Sequence, residues 1–309
     1  MANVTVRVLD VNEPPRVIPA SRSVDENTVA PTSFGAALEV ADEDFAQGHT
    51  WSIVDEDSDA VGLFAIDADT GVLAVKTSLR GHRVGLDYEF DDSFAITVRA
   101  TDNGTRPANL FSEAKINVKL NDVNEPPVVP DNQNVSVPEN SQPGTAVDRP
   151  VEGDDFDAGS SVVFSIVQDG SLGSRLFLID GLTGLLSVAP IPPSAPNGTS
   201  LHPELDFEVR QSTWLTVRVN DSSLYTDARV NIRITDVNEP PSLLPAVLNV
   251  SEASLAGTEV SGSPLVATDV DTDQQVSFRI SEQTPVGAFA VDALTGVVTV
   301  STSAKLDYE

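Results

Sequence analysis

The sequence predicts an all-β protein: a tandem array of β-sandwich modules, each of about seven short strands. Three observations predict it. First, the string Asp-Val-Asn-Glu-Pro-Pro occurs at Asp10–Pro15, Asp122–Pro127 and Asp236–Pro241, 112 and 114 residues apart, which is a period of one domain length. Second, apolar and polar residues alternate with period two before each copy. Third, no long stretch carries helical periodicity, while 21 Pro and 19 Gly are spread as strand punctuation.

The elements follow in order. Val4, Val6 and Val8 precede Asp10. Ala114, Ile116, Val118 and Leu120 precede Asp122, with Lys115, Asn117 and Lys119 between them. Ala228, Val230, Ile232 and Ile234 precede Asp236. One apolar and one wet face predict a half-buried antiparallel strand in each copy. The strand before it also repeats: Ile96, Val98 and Ala100 lead to Asp102, as Leu215, Val217 and Val219 lead to Asp221. Asn103-Gly104 and Ser222-Ser223 supply the turns that follow. Earlier still lies a hairpin signature, Phe64-Ala-Ile-Asp67-Ala-Asp-Thr-Gly71, matched by Phe177 to Gly184 and Phe289 to Gly296. Its glycine can take positive φ. The expected boundaries are 1–15, the last strand of a preceding module; 16–127 and 128–241, two full modules; and 242–309, a module stopping before its last strands. Pro190–Pro203 reads as an exposed loop.

Composition narrows the function. The formal charge is −29, from 47 acids against 18 bases, which disfavours nucleic acid and anionic membrane surfaces as partners. Hydrophobic residues make up 40%, so each module can form a core. Cysteine is absent, which removes disulfides, zinc thiolates and thiol catalysis together. Met1-Ala-Asn-Val-Thr opens no apolar signal region, and no run approaches the roughly 18 apolar residues of a membrane span. Both are expected of an internal piece of a longer protein. Sequons at Asn3, Asn103, Asn134, Asn197, Asn220 and Asn249 permit glycosylation in a secretory pathway.

The acids themselves repeat. A Glu lies near each module start: Glu26 in Val-Asp-Glu-Asn, Glu139 in Val-Pro-Glu-Asn, Glu252 in Val-Ser-Glu-Ala. Asp-X-Asp follows, as Asp42/Asp44, Asp155/Asp157 and Asp269/Asp271, its second Asp seven residues before Trp51, Phe164 and Phe278. Leu-Asp-aromatic-Glu gives Asp87/Glu89, Asp206/Glu208 and Asp307/Glu309. The boundary motif with its Asp102 or Asp221 companion completes the set. A merely solvated acidic face has no reason to hold Asp-X-Asp at constant distance from an aromatic. On an extended segment that spacing places both carboxylates on one side, suited to one hard cation. Without a cation, two unit charges about 4 Å apart repel by roughly 4 kcal/mol at an effective dielectric near 20. Calcium accepts six to eight oxygens at flexible angles, magnesium is stricter, and zinc prefers nitrogen or sulfur.

The combination Pro-Glu-Asn, Asp-X-Asp, Leu-Asp-X-Glu, Ala-X-Asp-X-Gly and Asp-X-Asn-Asp/Glu resembles that of cadherin extracellular repeats, over the whole chain. The resemblance implies seven-strand Greek-key sandwiches in an elongated rod, with about three calcium ions at each complete boundary. Residue by residue it implies Glu26, Asp87, Glu89, Asp122, Asn124 and Glu125 from above the first full boundary, and Asp155, Asp157 and Asp221 from below. Carbonyls of Val123 and Pro126 are further ligand candidates. The second boundary would use Glu139, Asp206, Glu208, Asp236, Asn238 and Glu239, with Asp269 and Asp271 opposite. The upstream one keeps Asp10, Asn12, Glu13, Asp42, Asp44 and Asp102. Two departures stand out: Glu-Pro replaces the family's usual Asp-Asn, and the asparagine expected after Asp-X-Asp is missing from every copy.

The expected function is a calcium-rigidified extracellular segment of a larger, membrane-anchored surface protein. Such a protein mediates calcium-dependent adhesion to other cadherin-type ectodomains or to cell-surface and matrix ligands. The alternative is a carbohydrate- or matrix-binding module of a microbial surface protein, which an exposed aromatic platform would favour; only 6% of residues are aromatic. Catalysis is not expected, because the paired carboxylates all map to repeated positions and an enzyme needs one distinctive site. His49, His82 and His202 fall at non-equivalent positions. Trp51 and Trp214 lie in strand patterns.

Overall fold

A computed structural model describes residues 3–44, 46–77, 85–157, 159–191, 204–271, 274–301 and 306. Asp307, Glu309, His82, His202, Asn197 and residues 192–203 of the expected loop lie outside the described residues. The chain divides into two compact units, and the strand content is that of tandem β-sandwiches.

The first unit comprises Met1–Val129, Gly153–Val163 and Val219–Thr226. Its strands are β1 (Arg16–Val17), β2 (Ser21–Asp25), β3 (Thr32–Phe34), β4 (Val40–Ala41), β5 (His49–Glu56), β6 (Phe64–Ile66), β7 (Leu73–Val75), β8 (Ser93–Asp102) and β9 (Phe111–Asn121). A four-stranded sheet runs β2-β9-β8-β5, a three-stranded sheet β3-β7-β6, and β1 pairs with β4. The alternation dictates the layers. Phe94, Ile96, Val98 and Ala100 of β8 and Ile116, Val118 and Leu120 of β9 point inward, while Lys115, Asn117 and Lys119 face water. They close over Phe34, Phe64, Leu73 and Val75 of the smaller sheet. Phe64 meets Phe34 and Phe94 edge-on, with centroids 5.8 and 5.7 Å apart. Full burial of each such side chain contributes about 1.5–3 kcal/mol.

One pairing was not visible in the alternation. β9 is antiparallel to β8 but parallel to β2, from Ser21 opposite Asn117 to Asp25 opposite Asn121. This register sets Glu26, the next residue, beside the start of the Asp122–Pro127 motif. The strand expected over Val4–Val8 does not form. Residues 3–15 belong to no strand and Val4, Val6 and Val8 are exposed, because a strand needs a neighbouring backbone to complete its ladder.

The second unit comprises Pro130–Glu152, Phe164–Arg218 and Asp227–Glu309. Its elements, apart from Val163, Val219, Asn220, Tyr225 and Thr226 at strand ends that fall in the first unit, are β10 (Gln133–Pro138), β11 (Val163–Ile166), helix α1 (Leu172–Leu176), β12 (Phe177–Ile179), β13 (Leu186–Val188), β14 (Ser212–Asn220), β15 (Tyr225–Thr235), β16 (Ser242–Leu243), β17 (Ala267–Thr268), β18 (Phe289–Val291) and β19 (Val298–Val300). The sheet order β10-β15-β14-β11 repeats that of the first unit, including a parallel β10–β15 pair ending at Pro138 opposite Thr235. Glu139 therefore stands beside Asp236 as Glu26 stands beside Asp122. The five-residue α1, N-capped by Ser171 on Ser174 N, is too short to leave a periodic signal. In residues 242–301, Val260, Val298 and Val300 form a small core of their own.

Candidate metal centres

The repeated acids adopt repeated geometry. Glu26 and Glu139 are buried, and each carboxylate joins two separate segments. Glu26 accepts Tyr88 N at 2.7 Å and Val123 N at 2.8 Å. Glu139 accepts Phe207 N at 2.7 Å and Val237 N at 2.8 Å. Each acid thereby ties its boundary motif to the Leu-Asp-aromatic-Glu segment of the same module.

Asp-X-Asp is a bend, not the extended segment the spacing suggested. The first carboxylate accepts the backbone N–H of the second Asp: Asp42 from Asp44 at 2.9 Å, Asp155 from Asp157 at 2.9 Å, Asp269 from Asp271 at 3.1 Å. These side-chain-to-backbone bonds are the local alternative to a ladder. The second carboxylate gives one oxygen to the boundary Glu: Asp44 accepts Glu13 N, Asp157 accepts Glu125 N and Asp271 accepts Glu239 N, each at 2.9 Å. The boundary asparagine reaches the strand-end acid, Asn12 donating to Asp102 at 3.1 Å and Asn124 to Asp221 at 2.7 Å. Asp102 and Asp221 use their other oxygen to cap their own turns, on Gly104 N and Leu110 N and on Ser223 N and Leu224 N. Gly104 leaves room for the Asn12–Asp102 contact, since a Cβ there would lie 1.7 Å from Asn12 Oδ1 and displace the Asn12 amide.

Three triads in the first unit hold oxygens mutually within 4.8 Å: Glu26–Glu89–Asp122, Glu89–Glu125–Asp157 and Asp155–Asp157–Asp221. Two in the second unit do the same: Glu139–Asp206–Glu208 and Glu208–Asp236–Asp271. Asp155 Oδ2, Asp157 Oδ1, Glu239 Oε2 and Asp271 Oδ1 are buried with no hydrogen-bond donor. An uncompensated buried carboxylate oxygen is costly, and an all-oxygen acidic donor set with such orphans fits a hard cation. The electrostatics agree. Burial, then the charge of Glu26, pushes Glu125 up to about 7, against the Asn27 amide. Glu89, Glu208 and Glu239 are also raised, chiefly by burial and then by neighbouring carboxylates. Asp155 is raised by burial and by Asp157 and Asp221, while Asp221 is lowered by the N–H groups of Leu224 and Ser223.

Other expected residues are placed differently. Asp87 is exposed and caps Phe90 N at 3.1 Å, outside every triad. Asp269 is engaged by Asp271 N, and Asn124 and Asn238 each also lie 3.2 Å from the following Glu carbonyl. Among the described residues no triad gathers Asp10, Glu13, Asp42, Asp44 and Asp102. There His49 Nε2 lies 2.7 Å from Asp42 Oδ2 and occupies it. Two asparagines were missed. Asn27 donates to Glu125 Oε1 and Asn140 to Glu239 Oε1, and both have φ 54. Their recurrence after Glu26 and Glu139 was the available signal. Gln47, three residues past Asp44, donates to Asn12 Oδ1 at 2.7 Å with its own Oε1 buried and unpartnered, near where the missing asparagine was expected.

No family model matches this chain. It is 31% identical over 289 residues to human Protocadherin Fat 1, which covers 88% of this chain and 6% of that protein. It is 29% identical over 248 residues to human Protocadherin-23, covering 79% of this chain and 7% of the relative. The chain thus spans a small fraction of these relatives' length. Among solved structures, repeats EC22-24 of mouse cadherin-23 are 25% identical with a TM-score of 0.59, over 94% of this chain and 88% of that one. A protocadherin gammaB7 EC3-6 structure, 24% identical, shares the fold at a TM-score of 0.62.

Proposed function

The chain belongs to the cadherin superfamily, and on that premise we propose that it is a calcium-binding adhesion segment of a longer extracellular surface protein. Its modules are 16–127, 128–241 and the start of another at 242. The observation that carries the reading is the pair of orphaned, buried carboxylate oxygens at equivalent positions, Asp157 Oδ1 and Asp271 Oδ1, on residues that cluster with Glu89, Glu125, Asp155 and Asp221 and with Glu208 and Asp236. Glu26, Glu89, Asp122, Glu125, Asp155, Asp157 and Asp221 would hold calcium at the first boundary. Glu139, Asp206, Glu208, Asp236, Glu239 and Asp271 would hold it at the second. Asp87, Asn124, Asn238, Asp269 and the upstream set complete the expected ligands, with about three ions per full boundary.

Bound calcium supplies the positive charge that offsets the repulsion among these acids. The residues do the rest. Glu26 and Glu139 fix the boundary motif to the sandwich before it. Asp157 and Asp271 hold its Glu backbone to the sandwich after it, and Pro126-Pro127 and Pro240-Pro241 restrict the backbone between. A stiff boundary fixes the presentation of whatever adhesive surface the parent protein carries, whether toward other cadherin-type ectodomains or toward surface and matrix ligands.

The test is thermal melting against calcium. Calcium at about 100 times its Kd should stabilise by about 2.7 kcal/mol per independent site. Asp155→Ala/Asp157→Ala should blunt the rise. An equal rise with magnesium or sodium chloride would replace the reading with general charge screening.

A further inference from the structure

We propose that Asn27 and Asn140 are positioning residues that adapt the boundary glutamates to the metal centres, each amide fixing one carboxylate oxygen so that the other is presented to the cation. The inference rests on the calcium reading above and deepens it. The chain has Glu125 and Glu239 where the resemblance leads one to expect Asp. Glu carries one more methylene and one more freely rotating bond, so an unrestrained carboxylate would lose more freedom on binding.

The structure restrains it in both units in the same way. Asn27 Nδ2 donates to Glu125 Oε1, and Asn140 Nδ2 donates to Glu239 Oε1. The asparagines are themselves held. Asn27 N donates to Leu86 O at 2.9 Å and Asn140 N to Leu205 O at 3.0 Å. Both sit in the left-handed region at φ 54, which asparagine adopts more readily than other side-chain-bearing residues. Each follows a buried glutamate, Glu26 or Glu139, that already accepts two backbone N–H groups. The donor is thus mounted on a fixed point. On the acceptor side, Glu239 keeps Oε2 buried and without a hydrogen bond, while Glu125 lies in the Glu89–Glu125–Asp157 triad. Pinning one oxygen leaves one for coordination. It also places an amide dipole beside Glu125 that offsets the field of Glu26 and Asp157. An aspartate at the same position is a methylene shorter and would lose the amide.

A double-mutant cycle on the full chain tests this. Calcium chloride is titrated calorimetrically into wild type, Asn27→Gly, Glu125→Asp and the double variant. Glycine removes the amide yet tolerates the positive φ. Asn27→Gly should weaken the first-unit sites about tenfold, the worth of one hydrogen bond to a charged group, and leave the second-unit sites unchanged. In the Glu125→Asp background the same change should cost less than about twofold. Asn140→Gly should do the converse in the second unit. Unchanged affinity in Asn27→Gly, or the same loss in both backgrounds, overturns the positioning role. Glu125→Gln separates the two claims, because wild-type affinity in that variant would overturn the metal reading itself. Cooperative melting in chelator identifies any variant that fails to fold; Asn140→Gly then decides the outcome at the equivalent position.

Discussion

Glu26 and Glu139 each direct two carboxylate oxygens to two different stretches of backbone, and this makes them structural before any cation arrives. Glu139→Ala would leave Phe207 N and Val237 N without their acceptor. The cost expected is about 2–4 kcal/mol, measured by urea unfolding in chelator. A change below about 0.5 kcal/mol would mean water replaces the carboxylate. Glu125 makes a separate prediction. Its pKa is raised from 4.5 to about 7, chiefly by burial and then by Glu26. Between those pH values the folded chain keeps a proton that the unfolded chain has released. Metal-free stability should therefore fall as pH rises through this window and level off above it. Asp67, Asp180 and Asp292 are held below 3.8 by hydrogen bonds from Thr70, Thr183 and Thr295, so their opposite effect lies below the window. A flat melting temperature between about pH 5 and 7 in chelator would contradict the burial of Glu125.

At the scale of elements, the hairpin glycines are fixed by two constraints at once. Gly184 has φ 70, and a Cβ there would meet Val151 O at 2.6 Å and the Phe164 ring at 3.2 Å. Gly71 meets the Trp51 ring at 2.8 Å in the same way. The aromatic that follows Asp-X-Asp thus packs over the turn glycine. Gly184→Ala combines backbone strain with overpacking, and it should destabilise by about 2–4 kcal/mol in urea unfolding. A loss under about 1 kcal/mol would show that the turn relaxes. The parallel partners β2 and β10 are the elements that carry Glu26 and Glu139 to their boundaries. Slipping either register by one residue would turn the glutamate to the opposite face.

At the scale of the whole molecule, a charge of −29 sets the response to salt. In chelator, raising sodium chloride from about 20 mM to about 500 mM should raise the melting temperature, because screening shortens the reach of carboxylate repulsion. With calcium bound that slope should shrink, since the closest acids are already neutralised. An equal slope in both conditions would place the repulsion elsewhere on the surface. The sequence by itself determined the repeat, the strand faces and the identity of the acids, because a period of two and a period of one domain are both written along the chain. It also singled out Glu26, Asp157 and Asp221, each of which the structure joins to the boundary motif, through Val123 N, Glu125 N and the Asn124 amide. Only tertiary structure decided which oxygens remain free. The β2–β9 and β10–β15 register, the bend at Asp-X-Asp, the pairing of Asp42 with His49 and the reach of Asn27 to Glu125 all join residues distant in sequence or through side-chain direction. A linear pattern specifies which groups a module possesses. Hydrogen-bond partners are allotted by competition among groups brought together in three dimensions, and that competition leaves Asp87 outside the triads and the last oxygens of Asp157 and Asp271 unclaimed.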